Sequence, residues 1–174
     1  MNQIYQKEKI IQLLLTAAKE YNNLIPKEVI LNSDEFQNSK TYILRFYKTN
    51  FLHLTGAKTK LSPKDFFEKS LNKTISTNDI NDIETTLEKY KIIDKLNCLQ
   101  EISKCFDNIL CVQENFTKNT IACTLATTDG NKTIGFIKAG YVNRPMTLLD
   151  KNKLNPNKPI YRIKPIIKKI NGTH

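Results

Sequence analysis

Residues 120–138 constrain the chain more than any other stretch. Thr120–Thr127 reads TIACTLAT and Lys132–Lys138 reads KTIGFIK, with Thr128-Asp129-Gly130-Asn131 between them. Asp-Gly between two such runs is a strong hairpin signal, because both turn residues tolerate a left-handed backbone. Side chains alternate across a strand, so Ile121, Cys123 and Leu125 are expected on one face, and Ala122, Thr124 and Ala126 on the other. Ile109–Gln113 reads as a strand before this hairpin. Pro159–Ile170 reads as a last strand, broken by Pro165 and therefore at an edge, where a missing N–H is tolerated.

The N-terminal half follows a helical period. Ile4, Ile11, Leu14, Leu15 and Ala18 recur at three-and-four spacing, which predicts a helix over residues 2–22, closed by Pro26. Tyr42–Lys48, YILRFYK, predicts a first strand, and a short apolar run at Asn50–Leu54 leads into Gly56. Ser62-Pro63-Lys64-Asp65 opens a helix running to about Leu71: a cap, a proline in the first turn and an acid at the positive helix end. Thr77–Tyr90 and Lys95–Phe106 also read as helices. Helix, strands, helices, strands is the order of an α+β fold, with N-terminal helices packed on a mainly antiparallel sheet. A length of 174 residues without a linker or repeat predicts one domain over 1–174.

The chain carries 27 Lys+Arg against 17 Asp+Glu, a formal charge of +10. Such a surplus attracts polyanions, nucleic acid first among them. A genome rich in A and T would also enrich Lys, Asn and Ile, so charge alone leaves both explanations open. The run IIQLLL near the start is interrupted by Gln12 and far shorter than the roughly 20 apolar residues of a spanning helix. No export signal follows it, so a cytoplasmic protein without a membrane partner is expected. Cys98, Cys105, Cys111 and Cys123 match no zinc spacing and read as reduced, mostly buried apolar side chains.

Three clusters offer chemistry. Phe51-Leu52-His53-Leu54-Thr55-Gly56 holds the only internal histidine, suited to proton transfer. A partly buried histidine satisfied by backbone is its bland counterpart. Lys58 and Lys60 follow, and with Thr55 they supply ammonium and hydroxyl groups fit for a phosphodiester, or simply a solvated loop. Lys118 precedes the threonine-rich hairpin that includes Thr133. The third cluster, Asn143–Leu149, contains Thr147 and Arg144, one of three arginines. A guanidinium fork can grip two phosphate oxygens or pair with a carboxylate to pin a loop. No nucleotide-binding glycine loop, H-E-x-x-H or G-x-S-x-G occurs, and the carboxylates of Asp79–Glu88 match no two-metal pattern. No metal and no cofactor are therefore expected.

At these clusters the chain resembles a known family. FLHLTGAKTKLSPKDFFEKSLN at Phe51–Asn72, followed by NFTKNTIACTLATTDGNKTIGFI and RPMTLL, resembles the fourth phage barnase–EndoU–colicin–RelE-like nuclease family over about residues 40–155. The resemblance implies a barnase/EndoU/colicin/RelE-like fold and a ribonuclease of phage or mobile-element origin. It further implies a toxin of the bacterial cytoplasm, with RNA as substrate and an antitoxin or immunity protein as partner. It carries no assigned catalytic set, so roles follow chemistry. Cleavage would proceed by 2′-hydroxyl attack to a 2′,3′-cyclic phosphate. His53 would shuttle the proton, while Lys58, Lys60 and Arg144 would stabilise charge. Thr55, Lys118, Thr133 and Thr147 would hold substrate. No glutamate stands beside His53, so lysine, threonine or Tyr141 would have to serve as its partner. Two other readings remain: a non-catalytic nucleic-acid-binding or inhibitory protein, such as one occupying a channel of a host defence complex, and a module that docks on an acidic protein.

Overall fold

The computed structural model describes residues 2–171; His174 lies outside them. Helix α1 spans Gln3–Asn22, capped by the Asn2 side chain, which accepts from the N–H groups of Ile4 and Tyr5. Its buried stripe is Ile10, Leu14, Ala17, Ala18 and Tyr21. Ile4 belongs to the predicted stripe but is 62% exposed, because the first turn extends past the core.

Strand β1 (Lys27–Asn32) pairs antiparallel with β2 (Thr41–Arg45). The apolar run after β2 is helix α2, Lys48–Thr55, which buries Phe51, Leu54 and Thr55. Helix α3, Pro63–Leu71, begins as its sequence predicts, with the Ser62 hydroxyl accepting from the Asp65 N–H. The two helices expected next are replaced by one, α4, Thr86–Leu99, capped by Thr85. Thr77–Asp79 and Ile102–Phe106 form only short 3-10 turns. Ile80 and Ile83 lie between the first turn and α4, and both are buried, so core packing overrides helical propensity there.

The remaining strands are β3 (Leu110–Lys118), β4 (Ile121–Thr128), β5 (Lys132–Ala139), β6 (Val142–Asp150), β7 (Tyr161–Ile163) and β8 (Ile166–Lys169). The Asp-Gly hairpin joins β4 to β5 as expected. The 143–149 segment, read as a loop, is instead most of internal strand β6. Its Pro145 sits opposite Phe136 at a register shift, where the ladder does not need the missing N–H.

All strands form one sheet in the order β7-β3-β4-β5-β6-β2-β1-β8. Every pair is antiparallel except β2 with β6. The fold is α+β. Its sheet must curl. β7 and β8 occupy opposite edges, which in a flat sheet would stand about 34 Å apart. Yet Ile163 and Ile166 are joined by two residues, a link that reaches at most about 11 Å. The break at Pro165 thus lets one C-terminal segment serve both edges.

The curl encloses one large core. Phe46 of the β2–α2 junction meets Phe106 and Phe136 edge-on, and Tyr21 of α1 packs on Phe46, Phe51 and Phe67. The loop after β1 closes the open side. Phe36 packs on Tyr42 and Tyr161, and the buried Glu114 carboxylate of β3 accepts from Gln37 N–H, Asn38 N–H and the Tyr42 hydroxyl.

A smaller cluster of Phe116, Cys123, Ala126 and Leu154 lies apart from the main core. Cys123 was expected beside Leu125, but Leu125 faces the main core. The ladder is interrupted between them without a change of register: Asn115 takes a left-handed φ of 51° and is not paired with Thr124, whose hydroxyl accepts the Lys138 N–H, while Glu114–Leu125 and Phe116–Cys123 stay in step on either side. Cys98, Cys105 and Cys123 are buried and Cys111 partly so; all four are free thiols. Burial pushes the Cys105 thiol up to about 12.

Candidate nucleic-acid interface along helix α2

Helix α2 is anchored by Phe51 and Leu54 and leaves Thr49 and His53 exposed. These are four apart, so they are neighbours on one helix face, about 6 Å from each other. Thr55 ends the helix: its hydroxyl donates to Leu52 O at 2.7 Å and accepts the Ala57 N–H at 3.1 Å. Gly56 then takes φ 70°, the left-handed cap that lets the chain turn away. A Cβ at Gly56 would stand 3.3 Å from Cδ of Lys95, so the missing side chain leaves room for that lysine.

Three recesses follow this face in sequence. The first, at the start of α2, is lined by Arg45, Tyr47, Lys48, Thr49 and Lys64 over an apolar floor. The second, about 440 Å³, holds His53 with Thr49, Leu52, Gly56, Pro63 and Lys95. The third holds Lys58, Lys91 and Lys95 with Glu84 and Glu88. Thr49 lines the first two, and Gly56 and Lys95 the last two, so the recesses form one tract with His53 in its middle.

Lys95 is the most unusual cation of the tract. Burial, with repulsion from Lys91, pushes its ammonium below the ordinary lysine range. Among the described residues it makes no ion pair. The folded chain therefore disfavours its charged form, a destabilisation fully present below the folded pKa and lost as pH rises through the unfolded value near 10.4. Lys95→Met is expected to raise Tm at pH 7, with the gain shrinking as pH climbs toward the unfolded value of about 10.4 and gone above it. Thermal melts of both proteins across that range check this. Lys58, by contrast, is held by Glu88 at 3.0 Å, which raises its pKa.

The family model described as phage-Barnase-EndoU-ColicinE5/D-RelE like nuclease 4 matches residues 13–173. The chain belongs to this nuclease family. Comparison with curated proteins and with solved structures finds no match. Family membership implies a nucleic-acid substrate, and the matched stretch runs well beyond the 40–155 suggested by motif, from within α1 through β8.

In this nuclease-family chain the residues singled out from sequence do not all meet. His53 and Lys58 lie on the α2 tract, while Lys60 is exposed on the next loop and lines none of its recesses. Thr55 is fully buried and its hydroxyl is taken up by the helix end. Arg144 stands on the far side of the sheet from α2. Asn143 pairs with the core residue Leu44 and Pro145 with the core residue Phe136, so the alternation turns Arg144 outward. Thr133 is fully buried, donating to Lys151 O at 2.8 Å and accepting the Lys153 N–H at 2.9 Å. Thr147 is buried against Gly135, where its Cγ2 and the Cys123 Sγ fill the place of a Cβ. Lys118 is at the opposite end of β4 from Thr133, about 23 Å away.

Sequence reasoning passed over Arg45, Lys48, Lys64 and Lys95. Gly56 after an apolar run signals a helix end, and that makes the preceding run helical. No local signal marks Lys95. Among the described residues no three His, Cys, Asp or Glu side chains gather as a metal site, and no helix is long and apolar enough to cross a membrane.

Proposed function

We propose that this protein is an endoribonuclease that cleaves at His53 by attack of the ribose 2′-hydroxyl on its own 3′-phosphate, without a metal. The P–O5′ bond breaks as the 2′-O–P bond forms, leaving a 2′,3′-cyclic phosphate and a 5′-hydroxyl. His53 takes the 2′-hydroxyl proton and returns one to the leaving 5′-oxygen. Lys95, with Lys58 beyond it, stabilises the charge that gathers on the phosphorus oxygens. The carrying observation is the exposed imidazole sharing a recess with an ammonium that has no carboxylate partner. A lysine held at a cost to the fold suits a site that gains a phosphate when occupied. Arg144, across the sheet, takes no part in this step. Action as a toxin in a bacterial cytoplasm, restrained by an antitoxin or immunity protein, extends the same reading.

The test is end-labelled RNA incubated with wild-type protein in excess chelator. Products ending in a cyclic phosphate are expected, and a single 2′-deoxy residue at the scissile position abolishes the cut. Intact RNA sinks the proposal. One observation favours a second reading, nucleic-acid binding without cleavage, as by an inhibitor of a host defence complex. Among the described residues nothing hydrogen-bonds the His53 ring, whereas catalytic bases are usually oriented by a third group. Salt-dependent binding to RNA and DNA alike, with neither cut, is its signature.

A further inference from the structure

The recess at the start of α2 has no role in the chemistry at His53. Its volume of about 580 Å³ falls within the range of small-ligand pockets. Pro26, Phe46 and Ile170 supply an apolar floor, Tyr47 an aromatic wall, and Lys48 and Lys64 cations at the rim. No carboxylate lines it. The Arg45 guanidinium lies over the Tyr47 ring at 5.4 Å and is itself pinned, 3.2 Å from the Tyr141 hydroxyl and 3.9 Å from Glu28. Lys48 is 3.2 Å from Glu68, while Lys64 is exposed and makes no ion pair among the described residues. The first turn of α2 carries no acid and Tyr47 makes no side-chain cap, so the helix adds partial positive charge at the same place.

An apolar floor, an aromatic wall and rim cations, of which Lys64 makes no ion pair among the described residues, match a planar heterocycle joined to a phosphate. Thr49 connects this recess to the one holding His53. We propose that the recess holds one nucleotide of a single-stranded nucleic acid, its base against Tyr47 and its phosphate on Lys48 and Lys64, beside the phosphate that lies at His53. The proposal rests on the nuclease reading for its polymer but not for cleavage.

The experiment measures binding of a labelled all-2′-deoxy octanucleotide, which lacks the hydroxyl needed for the cut, to the full chain. Stacking on an aromatic side chain supports roughly a tenfold loss for Tyr47→Ala. An abasic residue, scanned along the octanucleotide, is expected at one position to cost about tenfold against wild type and nothing further against Tyr47→Ala. Tyr47 accepts the Tyr21 hydroxyl through its backbone carbonyl, so that anchor survives the substitution. Lys64→Ala, on the exposed surface, is expected to reduce the salt slope by about one phosphate contact. Wild-type affinity in Tyr47→Ala overturns the proposal, as does an abasic penalty that is equal in both proteins. RNA cleavage alongside either of those results leaves the nuclease reading standing without this subsite. The expected binding cycle with RNA left intact preserves the subsite and removes the ribonuclease.

Discussion

His53→Ala is expected to reduce RNA cleavage by about 10²–10⁴-fold, the usual contribution of a positioned acid–base group. The same substitution should leave folding almost untouched. His53 is exposed, and no hydrogen bond to its ring occurs among the described residues. Changes at such positions usually fall within about 0.5 kcal/mol. Loss of activity with an unchanged thermal melt therefore separates a catalytic role from a structural one. Cleavage at the wild-type rate by His53→Ala would place the chemistry elsewhere, whatever the melt. Lys95→Met makes the contrasting pair: lower cleavage, by about tenfold or more if the ammonium stabilises developing charge, together with higher stability at neutral pH.

The largest expected effect on stability lies far from this tract. Glu114 is buried and its carboxylate meets three donors, the N–H groups of Gln37 and Asn38 and the Tyr42 hydroxyl. It joins β3 to β2, strands separated in the sheet by β4, β5 and β6, and it holds the loop that closes the curl. Glu114→Ala strands those donors in an apolar setting, at a cost of about 3 kcal/mol. For a chain of this length that corresponds to a Tm lower by roughly 9 °C. Glu114→Gln, which keeps one acceptor oxygen but adds donors, is expected to fall between. A melt for Glu114→Ala within roughly 2 °C of wild type would mean that the loop closes the curl without this carboxylate.

How far the sequence could be read depended on the range of the interactions concerned. The Ser62 cap, the Asp129-Gly130 turn and helix α1 depend on neighbours a few residues away, and they form where the local pattern puts them. The run Asn50–Leu54 is too short for its period to be read, and only the left-handed Gly56 shows it to be a helix ending there. Strand β6 escaped because Arg144 and Pro145 resemble loop residues. A register shift accommodates the proline, and neighbours on both sides of β6 supply the pairing. The helix predicted at 77–90 gave way where Ile80 and Ile83 were drawn into the core, and the one predicted at 95–106 ends at Leu99 and continues only as the 3-10 turn Ile102–Phe106.

The candidate site divides in the same way. The Phe51–Asn72 motif, with its one internal histidine, was enough to indicate a nuclease family, and the matched family model covers 161 of the 174 residues, 13–173. Which cations accompany His53 was a tertiary matter. Arg144 and Thr133 look as suitable in sequence as Lys95 does, yet strand alternation turns Arg144 through the sheet and Thr133 into hydrogen bonds with the backbone that follows β6. Lys95 reaches the recess because α4 packs beside the end of α2, where Gly56 has no side chain to exclude it. Local pattern determined helices α1 and α3, the hairpin and the family. The curl of the sheet and the packing of α4 on α2 decided which residues share the candidate site, because they join residues with no neighbouring relation along the chain.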